Sequence, residues 1–154
     1  MTTKMLIYLL LFLGAVAFFL YKGVQKNRPL GLSKVIVINA KNITVEVADN
    51  AASRNKGLSG RETLSPGTGM LFVFPTKGIY PFWMYQMKFS LDFIFIDNDE
   101  IVDVVENVPQ PVGAQMPKVI VAKKDFDKVL EVNSGTVKAL GINLEQKVGL
   151  DNLN

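Results

Sequence analysis

Apolar and polar residues alternate with a period of two along much of the chain, and turn-forming residues interrupt the alternation at short intervals. The exception comes first. Residues 5–21, "MLIYLLLFLGAVAFFLY", hold 17 positions without a charge, between Lys4 and Lys22. At about 1.5 Å per residue this run is close to the minimum that crosses a hydrocarbon layer of about 30 Å. A single transmembrane anchor is expected over 5–21, then a linker over 22–33 in which Pro29, Gly31 and Ser33 block a continuous helix. The competing reading is a cleavable signal peptide, with Ala15 and Ala17 in a small-x-small arrangement. Cleavage there would leave Phe18, Phe19 and Leu20 at the new terminus.

Residues 34–150 are expected to form one β-rich globular domain. "KVIVINAKNITVEVA" reads as a hairpin, because Ile43, Val45 and Val47 alternate with Thr44 and Glu46. Asp49 or Asn50 is placed to cap a short helix through "AASRNKGLSG", weakened or ended by Gly57 and Gly60. "SPGTG" is turn chemistry, and "MLFVF" reads as a strand covered on both sides or a core segment. In "IYPFWMYQM", Ile79, Pro81, Trp83, Tyr85 and Met87 share one side and Tyr80, Phe82, Met84 and Gln86 the other, with neither plainly wet. "LDFIFID", "DNDE" and "IVDVVENV" then make a hairpin, and "PQPVGAQMPK" is a loop before "VIV". "DFDKVLEV" reads as a last strand. "SGTVKALG" reads as a short helix started by Asn133 or Ser134 and closed by Gly141. The expected architecture is mainly β: a small barrel-like or sandwich domain of short, mostly antiparallel strands with two short helices.

Composition removes whole classes of chemistry. The chain has no histidine and no cysteine, so imidazole-based triads, thiolate nucleophiles, the usual zinc and copper centres and disulfides have no atoms to build on. No cofactor is expected. "DNDE" lacks the glycine and distal glutamate of a helical calcium loop and reads as a solvated turn, so no metal is expected either. The net charge of +3 points to no nucleic-acid partner. Four of the 17 basic side chains lie in the first 28 residues, leaving 13 basic against 14 acidic beyond them.

Five blocks carry a resemblance. "GLSGRETL", "GTGMLFVFP", "FWMYQMKFSLDFIFID", "IVDVVENVPQP" and "KVLEVNSGTVKALGI" occur in the order and near the spacings of the family called domain of unknown function 192, which the chain resembles over about residues 43–148. The resemblance implies a small, barrel-like β domain, commonly preceded by an export signal or anchor in prokaryotic proteins, and it supplies no established activity. Three departures stand out: Gln86 replaces the asparagine that usually follows "FWM" and one variable residue, Ser90 replaces the proline before the leucine-aspartate pair, and the usual glycine-aspartate is present only as Gly149, separated from Asp151 by Leu150. The extra methylene of Gln86 would displace a reacting amide by about a bond length, which favours binding or structure over chemistry.

Nine of the chain's 15 aromatic residues lie between Phe72 and Phe95. This crowding makes Trp83, Met84 and Gln86 candidates for a binding groove, against the plainer reading of a central strand with methionine filling gaps. Asp92 shares a strand face with Ile94 and Ile96, so an inward face would bury its carboxylate and demand a partner. Arg61 or Arg54 is expected to provide it, with Arg61–Asp92 serving either as a structural ion pair or as an oriented guanidinium for a ligand. The leading expectation is a membrane-tethered binding domain for a small molecule, a peptide or an envelope component. The alternative is a carboxylate-dependent hydrolase or transferase using Asp92 as base, with Arg61 or Gln86 stabilising charge. A third reading is a structural or protein-interaction module. Lys22, Lys26 and Arg28 outnumber Lys4 across the span and mildly favour a cytoplasmic domain; the export habit implied by the resemblance favours an extracytoplasmic one and is given more weight.

Overall fold

The structure, a computed structural model, describes residues 33–150. The anchor expected over 5–21 lies outside the described residues, and among these no helix is long and apolar enough to cross a membrane.

The first hairpin pairs β1 (Ser33–Ile38) with β2 (Lys41–Ala48) around Asn39 and Ala40, both at positive φ, 50° and 58°. Two consecutive left-handed residues match the right-handed twist of the strands they join. Asn50 then starts α1 (Ala51–Lys56) through a reciprocal capping box with Ser53, and Gly57 ends the helix at φ 48°. After a turn at Gly67, β3 (Thr68–Gly78) returns parallel to β2. Next come β4 (Phe82–Trp83), β5 (Leu91–Asp97), β6 (Glu100–Val108), β7 (Val119–Ile120), β8 (Phe126–Asn133) and α2 (Thr136–Leu140). Six strands form one sheet in the order β1-β2-β3-β8-β5-β6, and β4 pairs with β7 in a separate two-stranded ribbon.

Period two divides the sheet's side chains between two cores. Leu71, Ile94, Ile96, Leu130 and Val132 join Ile36, Ile38, Ile43 and Val45 from the first hairpin and Val137 from α2. Phe72, Phe93, Phe95 and Val129 face the other way and pack against Phe82, Met84, Met87 and Ile120. Burial on both faces explains why "LDFIFID" has no exposed position.

Two expectations change. The sheet is open, not a closed barrel: β1 and β6 do not pair with each other, and residues 145–149 run between them, bonded to both. The aromatic stretch is also not a long strand covered on both sides. Only Phe82–Trp83 is extended and paired; Phe82 and Met84 are buried, whereas Trp83 and Tyr85 are each 53% exposed. Alternation holds here with one face wet, because β4 belongs to the outer ribbon and covers the sheet from one side.

Candidate functional site

On the aromatic face, the end of α1, the turn that follows it, β3 and the segment entering β4 enclose a hollow of about 240 Å³. Period two sends Phe72 and Phe74 of β3 into it. Tyr80 folds back to stack on Phe74, with ring centroids 4.0 Å apart and planes within 10°, and its hydroxyl donates to the Thr76 carbonyl at 2.8 Å. Gly57 lets the chain leave α1 close to these rings, since a Cβ there would lie 3.2 Å from the Phe72 ring. The Arg54 guanidinium sits over Phe74, its carbon 5.3 Å from the ring centroid, and one nitrogen donates to the Val73 carbonyl at 2.8 Å. Lys56 also lines the hollow. Among the described residues no carboxylate lies within ion-pair distance of Arg54 or Lys56. Trp83 stands at the rim.

Glu131 lines the same hollow from the middle of the sheet. It lies on β8 in register with Met70 of β3 on one side and Phe93 of β5 on the other. Only 5% of the residue is exposed, and its carboxyl takes part in no hydrogen bond among the described residues. Among the described residues no sealed polar side-chain atom lacks a partner, so this unbonded carboxyl keeps a small opening, and the cavity it lines is the hollow. Burial pushes the carboxyl up to about 8, because the ionised form would be stranded among apolar groups.

The two other buried acids behave differently. Asp92, fully buried, accepts from the Asn107 amide at 2.8 Å and from the Val137 amide at 3.0 Å. Its second bond satisfies the first turn of α2, whose N-cap, Gly135, has no side chain to do so. Asp103 accepts from the Val104 and Lys123 amides at 2.9 and 2.8 Å. Each of these carboxylates has a bond on both oxygens; Glu131 has none among the described residues.

The expected clamp is therefore corrected. Arg61 does not reach Asp92; it makes a two-pronged ion pair with Glu46 of β2, both bonds 2.6 Å, fastening the "GLSGRE" block to that strand. Glu46 as hydrogen-bond partner holds Arg61 above the ordinary range. Asp92 needs no guanidinium, because register brings it two backbone amides from residues 15 and 45 positions away. Met84 is fully buried in the core. Gln86 is exposed at φ 54°, its carbonyl accepting from the Gly60 amide and its side chain donating to the Tyr85 hydroxyl. Of the residues singled out from sequence, the hollow brings together Arg54 and Trp83, and it does not include Met84, Gln86, Arg61 or Asp92. Glu131 was not singled out. Its signal was one acid inside the apolar run "VLEV", at a position that a buried strand turns inward.

The family model for DUF192, described as Uncharacterized ACR, matches residues 34–150. The chain belongs to this family. Two crystal structures share the DUF192 domain's fold. One, from Sinorhizobium meliloti 1021, is described as a presumed transcription regulator; it is 31% identical, with a TM-score of 0.67, over 75% of this chain and 91% of that one. The other, a protein of unknown function from Novosphingobium aromaticivorans DSM 12444, is 28% identical, with a TM-score of 0.65, over 75% and 81%. No curated protein matches the chain. Within this DUF192 domain, the hollow draws its walls from the "GMLFVFP" and "FWMYQM" blocks and its acid from "KVLEV".

Proposed function

We propose that the DUF192 domain is a binding module that takes a small molecule in the hollow between α1, β3 and β4. One observation carries this reading: a nearly buried carboxyl, without a hydrogen-bond partner among the described residues, opens onto a concave, aromatic-lined space that also holds a guanidinium with no carboxylate partner among them. A core acid with no partner costs stability, and a ligand that bonds to it would relieve the cost. The combination of apolar walls and a few converging polar groups is that of small-molecule sites. The catalytic alternative loses its support, because Asp92 is sealed with both oxygens occupied, and neither Arg61 nor Gln86 stands beside it.

The test is a thermal-shift screen of the full chain against a chemically diverse metabolite set, read again by the fluorescence of Trp83, the single tryptophan. Compounds that raise the melting temperature and change the emission are expected, and Phe74→Ala is expected to abolish the response. A set in which no compound stabilises the chain overturns the reading.

The domain is further proposed to be held at a membrane by residues 5–21 and to face outward. The uncharged run between Lys4 and Lys22 supports the first part, and the export habit of the resembling proteins the second. Digestion of the domain by protease added to intact cells is the expected result; protection until the cells are lysed reverses the orientation.

A further inference from the structure

We infer, resting on that reading of the hollow, that its ligand is a small organic carboxylate with a flat apolar body, the carboxylate shared between the Arg54 guanidinium and the Glu131 carboxyl. The first ground is charge. The charged or titratable side chains around the hollow are Arg54 and Lys56 from α1, Tyr80 from the segment before β4, and Glu131 from β8. β3 and β5 contribute only Met70 and Phe93 beside Glu131, and β4 contributes Phe82 and Trp83. Two cations without carboxylate partners among the described residues therefore meet one acid that burial holds protonated near neutral pH. The space is electropositive, and an anion complements it. A cationic ligand would meet Arg54 and Lys56 on entry.

Hydrogen-bonding capacity is the second ground. A guanidinium is a planar fork of donors, and one prong of Arg54 is already bonded to the Val73 carbonyl, which fixes its direction. A protonated carboxyl adds one O–H donor. A ligand carboxylate is an acceptor at both oxygens and therefore suits either donor, without ionising Glu131. The third ground is shape. At about 240 Å³ the hollow falls below the roughly 300–1,000 Å³ of drug-sized ligand pockets, which suits one ring or a short branched chain. Phe72, Tyr80 and Trp83 offer ring surfaces for a flat body.

The consequence is a dependence on pH with a defined sign. Ligand carboxylates stay ionised between pH 6 and 9, so the titrating group is Glu131, and its loss of a proton places one anion against another. Affinity is expected to fall as pH rises through about 8.

The experiment uses the full chain in phospholipid nanodiscs, titrated with benzoate and phenylacetate, with the matched amines benzylamine and phenethylamine, and with benzyl alcohol. Binding is read by Trp83 fluorescence and calorimetry at pH 6.5 and pH 9. The carboxylates are expected to bind, roughly tenfold more weakly at the higher pH. Glu131→Gln, which keeps a donor but cannot ionise, is expected to retain binding and lose the pH effect. Arg54→Met is expected to weaken binding at least tenfold; if that variant does not fold, Arg54→Lys, which keeps the charge and loses the fork, is expected to weaken it measurably. Tighter binding of the amines, strengthening with pH and releasing a proton, overturns the ligand class and leaves the hollow as a binding site. Binding of the alcohol as strong as that of the carboxylates also overturns the class alone. If the metabolite screen yields no ligand at all, the binding reading itself has failed, so the two failures are told apart.

Discussion

At the scale of single residues, the three buried acids separate structure from candidate function. Asp92 joins three parts of the chain: β5 carries it, Asn107 binds one oxygen and α2 the other. An asparagine keeps one acceptor and presents an amino group to an amide that needs an acceptor. Asp92→Asn is therefore expected to lower stability by about 2–4 kcal/mol, seen as a lower denaturant midpoint with little change in slope. An unchanged midpoint would show that the two amides find other acceptors. Glu131 predicts the opposite. Its carboxyl titrates near 8 in the folded chain and near 4.5 when unfolded, so between these values the unfolded state binds fewer protons and stability falls as pH rises. The contribution is whole below about pH 4.5 and lost progressively up to about pH 8. Glu131→Gln is expected to flatten that part of the stability profile, and Glu131→Met to stabilise the empty domain at pH 8 by on the order of a few kcal/mol. A folded wild-type chain with no such slope would mean that the carboxyl reaches solvent.

At the scale of elements, what could be foreseen follows the range of the signal. The first hairpin, the Asn50 cap, the stop at Gly57 and the Gly141 end of α2 depend on residues within a turn of one another, and the structure forms each of them. Strand order does not work that way. β8 lies between β3 and β5, and no local pattern announces that "KVLEV" occupies the middle of the sheet. Hence the period of "LDFIFID" was enough to turn Asp92 inward, while its backbone partners and the isolation of Glu131 depended on pairings up to 45 residues away. The β3–β8 contact also has a strict clearance. A Cβ on Gly69 would stand 2.7 Å from the Glu131 carbonyl oxygen and 3.0 Å from a Val132 methyl. Both neighbours are fixed by the central strand, so Gly69→Ala must push β3 from β8. A loss of about 1–3 kcal/mol is expected by chemical denaturation, with weaker ligand binding because Phe72 and Glu131 line the hollow from these two strands. Wild-type stability in that variant would show that the strands can separate at no cost.

At the scale of the whole domain, an open six-stranded sheet has to protect two edges, and here one segment covers parts of both. The Gly149 amide and carbonyl each bond to Val37 of β1, at 2.8 and 3.0 Å. Within the four residues before it, the Gln146 carbonyl accepts from the Ile101 amide of β6, the Glu145 amide donates to the Ile101 carbonyl, and the Val148 amide donates to the Asp99 carbonyl. Lys147 adds ion pairs to Asp99 and Glu100, and Val148 closes the core between the edges. This accounts for an open sheet where a barrel was expected: the space in which β1 and β6 would meet is filled by chain running between them. Cutting the chain after Leu144 removes these bonds and takes Val148 out of the core it shares with Ile36, Ile38 and Ile101. Unpaired strand edges next to apolar surface are templates for association. The truncated chain is expected to lose several kcal/mol of stability and to form oligomers at concentrations where the intact chain does not, as measured by urea unfolding and light scattering. Gly149→Val tests the same contact without deletion, since its Cβ would sit 3.2 Å from the Val37 Cβ and press the segment away from β1. If both variants stay as stable as the intact chain and no more associated, the edges are protected by their own twist and side chains, and residues 145–149 merely lie along them.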